Sequence, residues 1–228
     1  MVTAIILASG KGTRMGKGLD KCFLSLGPKP VVAWSLLAFE KCSDVDRIIL
    51  VVRKDQVASA RGLQMMFGIS KLQKIVIGGK RRQDSVAAAL NEMEGEDMRH
   101  IVVHDAARPC VTPELIKETL KYSIRYGSGI AASPVVDTIK VAGKGMMVES
   151  TPDRSTLWAV QTPQAFAADK LIAAHAAAAK NPTVEYTDDA AMVEAIGEPT
   201  RLVRWDAPNP KITTPMDLTI AAAILRLN

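Results

Sequence analysis

Apolar residues in this chain fall in short unbroken runs, and amphipathic stretches separate the runs. Val2–Ala8, Arg47–Val52, Lys74–Ile77, His100–His104, Gly129–Ser133, Leu157–Gln161 and Arg201–Arg204 read as strands. Apolar residues at consecutive positions suit strands covered on both faces. Between the runs, Val31–Lys41, Gln56–Phe67, Arg82–Met93, Pro113–Tyr126, Ala167–Ala179, Asp188–Ile196 and Pro215–Leu227 read as helices. Pro28 and Pro30 stand just before the first helix, and Pro113 suits a first helical position with Thr112 as its cap. The Ala176–Ala179 run is plain helix former.

This alternation predicts an α/β chain: a three-layer, Rossmann-like, mostly parallel twisted sheet with helices on both faces. Ligands of such sheets bind beyond the carboxyl ends of the strands. No repeat or low-complexity linker divides the sequence, so residues 1–228 read as a single domain. One segment breaks the alternation. Val135 to Arg154 carries β-branched residues on either side of Gly143-Lys144-Gly145 and reads as an inserted β-hairpin. A lone hairpin is marginal in water, so this arm is expected to pack on something, with a second subunit as the candidate.

Composition narrows the partners. With 228 residues, 48% of them apolar, the chain can bury a large core. A net charge of +5 admits nucleic acid, but three Trp, three Tyr and four Phe argue against a stacking platform. Small anionic substrates account for the charge equally well. Cys22, Cys42 and Cys110 have no metal or redox spacing and suit a reducing compartment. The first strand lies too close to Met1 to leave room for a targeting segment, and no apolar run has the length of a membrane span. A cytoplasmic protein without a membrane partner is expected.

The densest chemistry lies at the start. Leu7-Ala8-Ser9-Gly10-Lys11-Gly12-Thr13-Arg14-Met15-Gly16 leaves the first strand, with Lys17 and Lys21 beyond. Glycines at such a turn let backbone N–H groups approach a ligand, and the cations make a cradle for phosphates. The turn is not a Walker A loop, because no Gly-Lys-Ser or Gly-Lys-Thr closes it. Glycines at 10, 12 and 16 are spaced one residue too long for a dinucleotide fingerprint, and Arg53 and Lys54, not an acid, follow the second strand.

Further clusters follow later strands. Gly78-Gly79-Lys80-Arg81-Arg82-Gln83-Asp84-Ser85 leads into a helix and suits a base, ribose or phosphate; its plain alternative is a capped helix start with Asp84 or Ser85 in the first turn. His104-Asp105-Ala106-Ala107-Arg108-Pro109 puts a carboxylate at the end of a buried strand. Such a group needs a partner, either Mg²⁺ or a bridge to Arg108. Arg154 ends the hairpin, followed by Gln161-Thr162-Pro163-Gln164, Thr187-Asp188-Asp189 and Asn209-Pro210-Lys211-Ile212-Thr213-Thr214-Pro215. Lys211 and Thr213 suit an anion, or a loop with its cap at Thr213 or Thr214. His100, His104 and His175 form no triad or metal spacing and read as structural. This inventory suits phosphoryl or nucleotidyl transfer, where catalysis is mostly positioning and charge stabilisation.

Over nearly its whole length the chain resembles the 2-C-methyl-D-erythritol 4-phosphate cytidylyltransferase family. The carrying motifs are His104-Asp105-Ala106-Ala107-Arg108-Pro109, Gln161-Thr162-Pro163-Gln164 and Thr187-Asp188-Asp189-Ala190-Ala191, with the glycine-rich opening. The resemblance implies that Ala8, Ser9, Gly10 and Gly12 line a CTP site, and that Gly79 and Ser85 hold its cytosine and ribose side, with Ala106 nearby. It implies Arg14, Lys21 and Lys211 as the cations that neutralise the reacting phosphates, and Asp105 as the ligand of Mg²⁺ or another divalent cation. Arg108, Thr187, Lys211 and Thr213 would bind the polyol phosphate. Thr138 and Arg154 would reach into a partner's site, which makes the hairpin the dimerisation arm of a homodimer. Three residues depart from the pattern: Ser9 replaces Ala or Gly, Lys80 stands where an acid is common, and Pro210 stiffens the loop before Lys211.

The close rival is ribitol 5-phosphate cytidylyltransferase, with the same chemistry and a straight-chain acceptor. An enzyme using another nucleotide would not need the full-length match. An NADP-dependent oxidoreductase lacks its catalytic pair here, and a non-catalytic nucleotide-binding regulator leaves Lys21, Asp105 and Lys211 unexplained together.

Overall fold

A computed structural model describes residues 1–10 and 20–227 of the chain. Its centre is a seven-stranded sheet made of β1 (Val2–Ala8), β4 (Arg47–Val52), β5 (Leu72–Ile77), β6 (His100–Asp105), β7 (Ser128–Pro134), β10 (Trp158–Ala167) and β11 (Leu202–Arg204). From edge to edge the order is β11-β7-β10-β6-β1-β4-β5. Strand β10 runs antiparallel to both β6 and β7, and every other pairing in this sheet is parallel.

Helices cover both faces as the alternation requires. Along β1, Ala4, Ile6 and Ala8 point into one cluster with Leu36, Phe39, Leu63 and Leu115. Ile5 and Leu7 point into the other, with Val86, Phe166 and Leu171. Period-two side-chain alternation thus divides one apolar run between two cores. The first face takes α1 (Val31–Lys41), α2 (Val57–Phe67) and α4 (Pro113–Tyr126); the second takes α3 (Arg82–Asn91), α5 (Ala168–Ala179) and α6 (Asp189–Ala195). The last helix, α7 (Pro215–Ile224), packs with Val31, Leu26 and Ile212 in a smaller cluster.

Local signals set the helix ends. Thr112 caps α4 by accepting from the Leu115 N–H, Pro113 is its first residue, and Gly127 closes it at φ 87°. A small hairpin, β2 (Ser25–Leu26) with β3 (Lys29–Pro30), turns at Gly27 with φ 60° before α1. From the sequence pattern, the prolines there signal only the start of the helix.

The sixth expected strand is longer than the pattern indicates. Leu157–Gln161 becomes Trp158–Ala167, and Thr162–Pro163 lies inside the strand, not in a loop. The ladder is irregular between Val160 and Gln164, and Pro163 sits in this bulge with a cis peptide bond, so no ladder N–H is lost there. The inserted segment does form a hairpin, although its ladder is short: β8 (Val141–Ala142) pairs with β9 (Val148–Ser150) around Gly145 at φ 68°.

Candidate active site

Strands β1, β4, β5 and β6 all end at one rim of the sheet, and two cavities open there. The larger, about 380 Å³, lies among Ser9, Gly10, Lys21, Gly79, Ser85 and Lys211. The smaller, about 210 Å³, lies among Arg108, Gln161, Thr162, Gln164, Thr187 and Lys211. Arg82, Asp105 and Lys211 line both and so form a shared wall.

In the larger cavity the turns after β1 and β5 touch. Ser9 Oγ lies 2.9 Å from Ser85 Oγ, and the Gly79 N–H donates to Ser85 Oγ at 3.1 Å. Gly78 makes this approach possible, because a Cβ there would stand 2.5 Å from Ser9 Cβ and 2.8 Å from Ser85 Oγ. The helix-start alternative is also realised: Asp84, in the first turn of α3, accepts from the Arg81 N–H at 3.1 Å and from the Arg81 guanidinium at 2.7 Å. Glycine turn and cap thus serve the same place. On the opposite side, Lys21 Nζ donates to the Ile212 carbonyl at 2.9 Å, which ties the end of the glycine-rich segment to the loop carrying Lys211.

Asp105 anchors the shared wall. Its Oδ2 receives Lys211 Nζ at 2.6 Å, and its Oδ1 receives Arg82 Nε at 3.3 Å. Burial alone would raise its pKa, but the charges of Arg82 and Lys211 outweigh that and hold the carboxyl well below the usual range. The bridge to Arg108 that the sequence allows is not formed. Arg108 Nη1 instead donates to the Asn209 carbonyl at 2.7 Å, and its Nε is buried without a partner.

Behind Asp105 lies a neutral relay. The Asp105 N–H donates to Thr162 Oγ1 at 3.0 Å, and that hydroxyl lies 3.2 Å from His104 Nδ1. His104 Nε2 faces the Arg108 carbonyl at 3.2 Å, an acceptor only, so Nε2 carries the proton and Nδ1 accepts. Burial pushes the His104 pKa down to about 3, which keeps the ring neutral. His100 Nδ1 meets Ser123 Oγ, and His175 Nε2 meets Asp189, so each histidine has a packing partner, as expected.

Other site residues foreseen from sequence divide into groups. Ser9, Gly10, Gly79, Ser85, Lys21, Asp105 and Lys211 meet at the larger cavity, and Arg108, Thr187 and Lys211 at the smaller. Ala8 and Ala106 are fully buried beside the site, and Ala107 lines the cavity in place of Ala106. Thr213 lines neither cavity: its N–H and hydroxyl both donate to Asp217 Oδ2, at 2.8 and 2.7 Å, within the cap of α7. Thr138 and Arg154 stand exposed on the arm, where Arg154 Nη1 donates to the Val136 carbonyl at 2.7 Å. Gly12 and Arg14 lie outside the described residues.

The sequence places Arg82 in a phosphate-or-base turn but gives it no role. The fold puts it in the shared wall, where it bridges Asp105 and Asp189. Asp188 and Asp189 both serve the framework. Asp188 caps α6 and accepts from Gln164 Nε2 at 2.8 Å, and Asp189 is fully buried.

Among the described residues no group of three or more His, Cys, Asp or Glu gathers as for a closed metal site. Asp105 nonetheless fits Mg²⁺. It is an ionised hard-oxygen donor on the wall of a cationic cavity, and Mg²⁺ is commonly held by one or two carboxylates plus substrate phosphates.

Residues 2–227 match the family model of 2-C-methyl-D-erythritol 4-phosphate cytidylyltransferase. The chain is 43% identical over 222 residues to the protein of that name from Geobacillus kaustophilus, spanning 97% of this chain and 96% of that one. It is 41% identical over 225 residues to the one from Alkaliphilus metalliredigens, spanning 98% and 92%. The crystal structure of 4-diphosphocytidyl-2C-methyl-D-erythritol synthase from Anaerococcus prevotii superposes with a TM-score of 0.87 at 27% identity, covering 99% of this chain and 96% of that one. The cytidylyltransferase from Thermus thermophilus superposes at 0.78 with 31% identity, covering 97% and 98%. Neither a reductase nor a ribitol phosphate enzyme is favoured by these likenesses. The chain belongs to the 2-C-methyl-D-erythritol 4-phosphate cytidylyltransferase family and is a nucleotidyltransferase.

Proposed function

We propose that the two cavities hold the two substrates and that Lys211 stands where they react. CTP occupies the larger cavity, its base and ribose against Gly79 and Ser85 and its phosphates toward Ser9, Gly10 and Lys21. The polyol phosphate occupies the smaller, against Arg108 and Thr187. The single observation that carries this reading is the wall common to both cavities, since Asp105 and Lys211 line each of them.

The reaction is an in-line displacement. An oxygen of the methylerythritol phosphate attacks the α-phosphorus of CTP, a new P–O bond forms, and the bond to pyrophosphate breaks. A phosphate monoester is already largely anionic near neutral pH, so the attacking oxygen needs no general base. The work lies in bringing two anions together. Lys211 at the shared wall, with Lys21 and Arg14 on the triphosphate, neutralises charge as it builds. Asp105 would hold Mg²⁺, which would supply charge neutralisation for the phosphates.

The arm completes the site as a homodimer contact. Val136, Val141, Met146, Met147 and Val148 are all exposed there, with Met146 83% exposed. So many apolar side chains on a hairpin too short to stand alone call for a cover, and a second copy supplies it. Arg154 and Thr138 then reach the partner's acceptor cavity. Three buried free cysteines fit a reducing, cytoplasmic setting.

The test is pyrophosphate release with CTP and Mg²⁺, comparing methylerythritol 4-phosphate with ribitol 5-phosphate. Release with the first alone is expected. Release with the second alone would keep the mechanism and change the acceptor.

A further inference from the structure

Two cations share the Asp105 carboxylate, and they are held in opposite ways. Arg82 opens α3, and its guanidinium reaches Asp105 Oδ1 with Nε at 3.3 Å and Asp189 Oδ2 with Nη1 at 2.5 Å. Asp189 is fully buried, and its other oxygen lies 3.3 Å from His175 Nε2. Arg82 is therefore pinned from behind, since following a moving phosphate would strand a buried carboxylate. The Lys211 side chain is 37% exposed and meets Asp105 Oδ2 through one hydrogen bond of 2.6 Å. It sits on a flexible stem and is free to change partners.

The charges explain why both are needed. Asp105 and Asp189 carry two negative charges, and Arg82 and Lys211 balance them. When Lys211 moves to a phosphate, Arg82 stays to hold the carboxylates. Without the Arg82 charge, Asp105 would bind Lys211 alone and more tightly, and releasing it would leave both carboxylates uncompensated in a poorly solvated wall.

We infer that Arg82 is a positioning residue that shares the Asp105 carboxylate and thereby frees Lys211 for transfer to a substrate phosphate. This rests on the reading of the shared wall as a phosphate site and adds a role for a residue that need not itself touch the phosphate.

The test is a double-substitution cycle read as binding, without metal or acceptor. Inorganic pyrophosphate is titrated calorimetrically into the full chain in EDTA, for the unsubstituted protein, R82Q, D105N and R82Q/D105N. R82Q is expected to weaken pyrophosphate binding about tenfold or more, D105N to strengthen it, and R82Q to cost little once Asp105 is neutral, as coupled neighbours do. R82K, which restores the charge but not the two-sided bridge, should fall between R82Q and the unsubstituted protein. Equal losses from R82Q with and without D105N would make Arg82 a general attracting charge and overturn the inference. Should R82Q fail to fold, R82Q/D189N removes the stranded carboxylate and is read in the same cycle. Absence of pyrophosphate binding by the unsubstituted protein would overturn the phosphate site itself; binding without coupling would overturn only the role of Arg82.

Discussion

The rim at Asp105 and the arm at residues 135–154 are built by opposite rules. At the rim, two buried carboxylates are paired with two half-buried cations, each held by elements distant in sequence: Arg82 from α3, Asp105 from β6, Asp189 from α6 and Lys211 from the loop before α7. On the arm, apolar groups are exposed and the ladder pairs only Val141–Ala142 with Val148–Ser150. These four charges find their partners within one chain. The arm's apolar side chains stay exposed, which is the observation behind the proposed contact with a second copy. The proposed chemistry therefore sits where the fold is over-determined, and the proposed assembly where it is under-determined.

The strongest way to break this comparison is at Lys211. Lys211→Ala should lower pyrophosphate release by about two to three orders of magnitude, the range for losing a group that stabilises transition-state charge. Its melting temperature should barely move, because Asp105 keeps Arg82. Unchanged turnover would sink the assignment.

On the arm, Arg154→Ala should raise KM for the polyol phosphate about tenfold or more, since a charge-assisted hydrogen bond to that phosphate disappears, while KM for CTP stays nearly constant. Mixing Arg154→Ala chains with Lys211→Ala chains sharpens the point. A site shared across subunits would regain activity, since one of the two sites then has both groups. No recovery would confine the arm to its own chain.

Gly78→Ala tests how closely the nucleotide turns must approach. Its Cβ would be 2.5 Å from Ser9 Cβ, so the two turns must part. About 1–3 kcal/mol of stability should be lost, as for overpacking, with weaker CTP binding by equilibrium titration. Full CTP affinity in a stable variant would show that Ser9 and Ser85 need not touch.

The smallest effect is expected at the cap of α7. Hydrogen bonds from the Thr213 hydroxyl and N–H bring Asp217 from an ordinary 3.8 down to about 2. With the folded value lower, the unfolded chain takes up the proton first as pH falls. The contribution is present above about pH 4 and lost between about pH 4 and 2. Asp217→Asn should cost about 0.5–1 kcal/mol at pH 7 in denaturant melts, a typical capping loss, and flatten that acid slope. An unaltered slope would remove Asp217 as its source.

Much of this is legible in the sequence because local rules govern it. The apolar runs of β1 and β4, and the Thr112–Pro113 start of α4, depend on neighbouring residues, and the structure has them where the pattern puts them. Pro163 misleads, since a proline usually ends a strand and here sits in a bulge between two antiparallel partners. Arg82 has no readable role in the sequence, because its partners lie 23 and 107 residues away and no spacing along the chain encodes them. Thr213 has a local competitor in view: Asp217, four residues on, claims both its N–H and its hydroxyl.

The reversed strand has one more consequence. Because β10 runs against β6 and β7, the arm leaves β7 at Pro134 and re-enters at Trp158 on the same rim where both cavities open. Had β10 been parallel, the connection would have crossed to the far edge. The chain direction thus roots both ends of the arm at the cavity rim, so a change in how the arm packs is felt first at the strand ends that carry the candidate site.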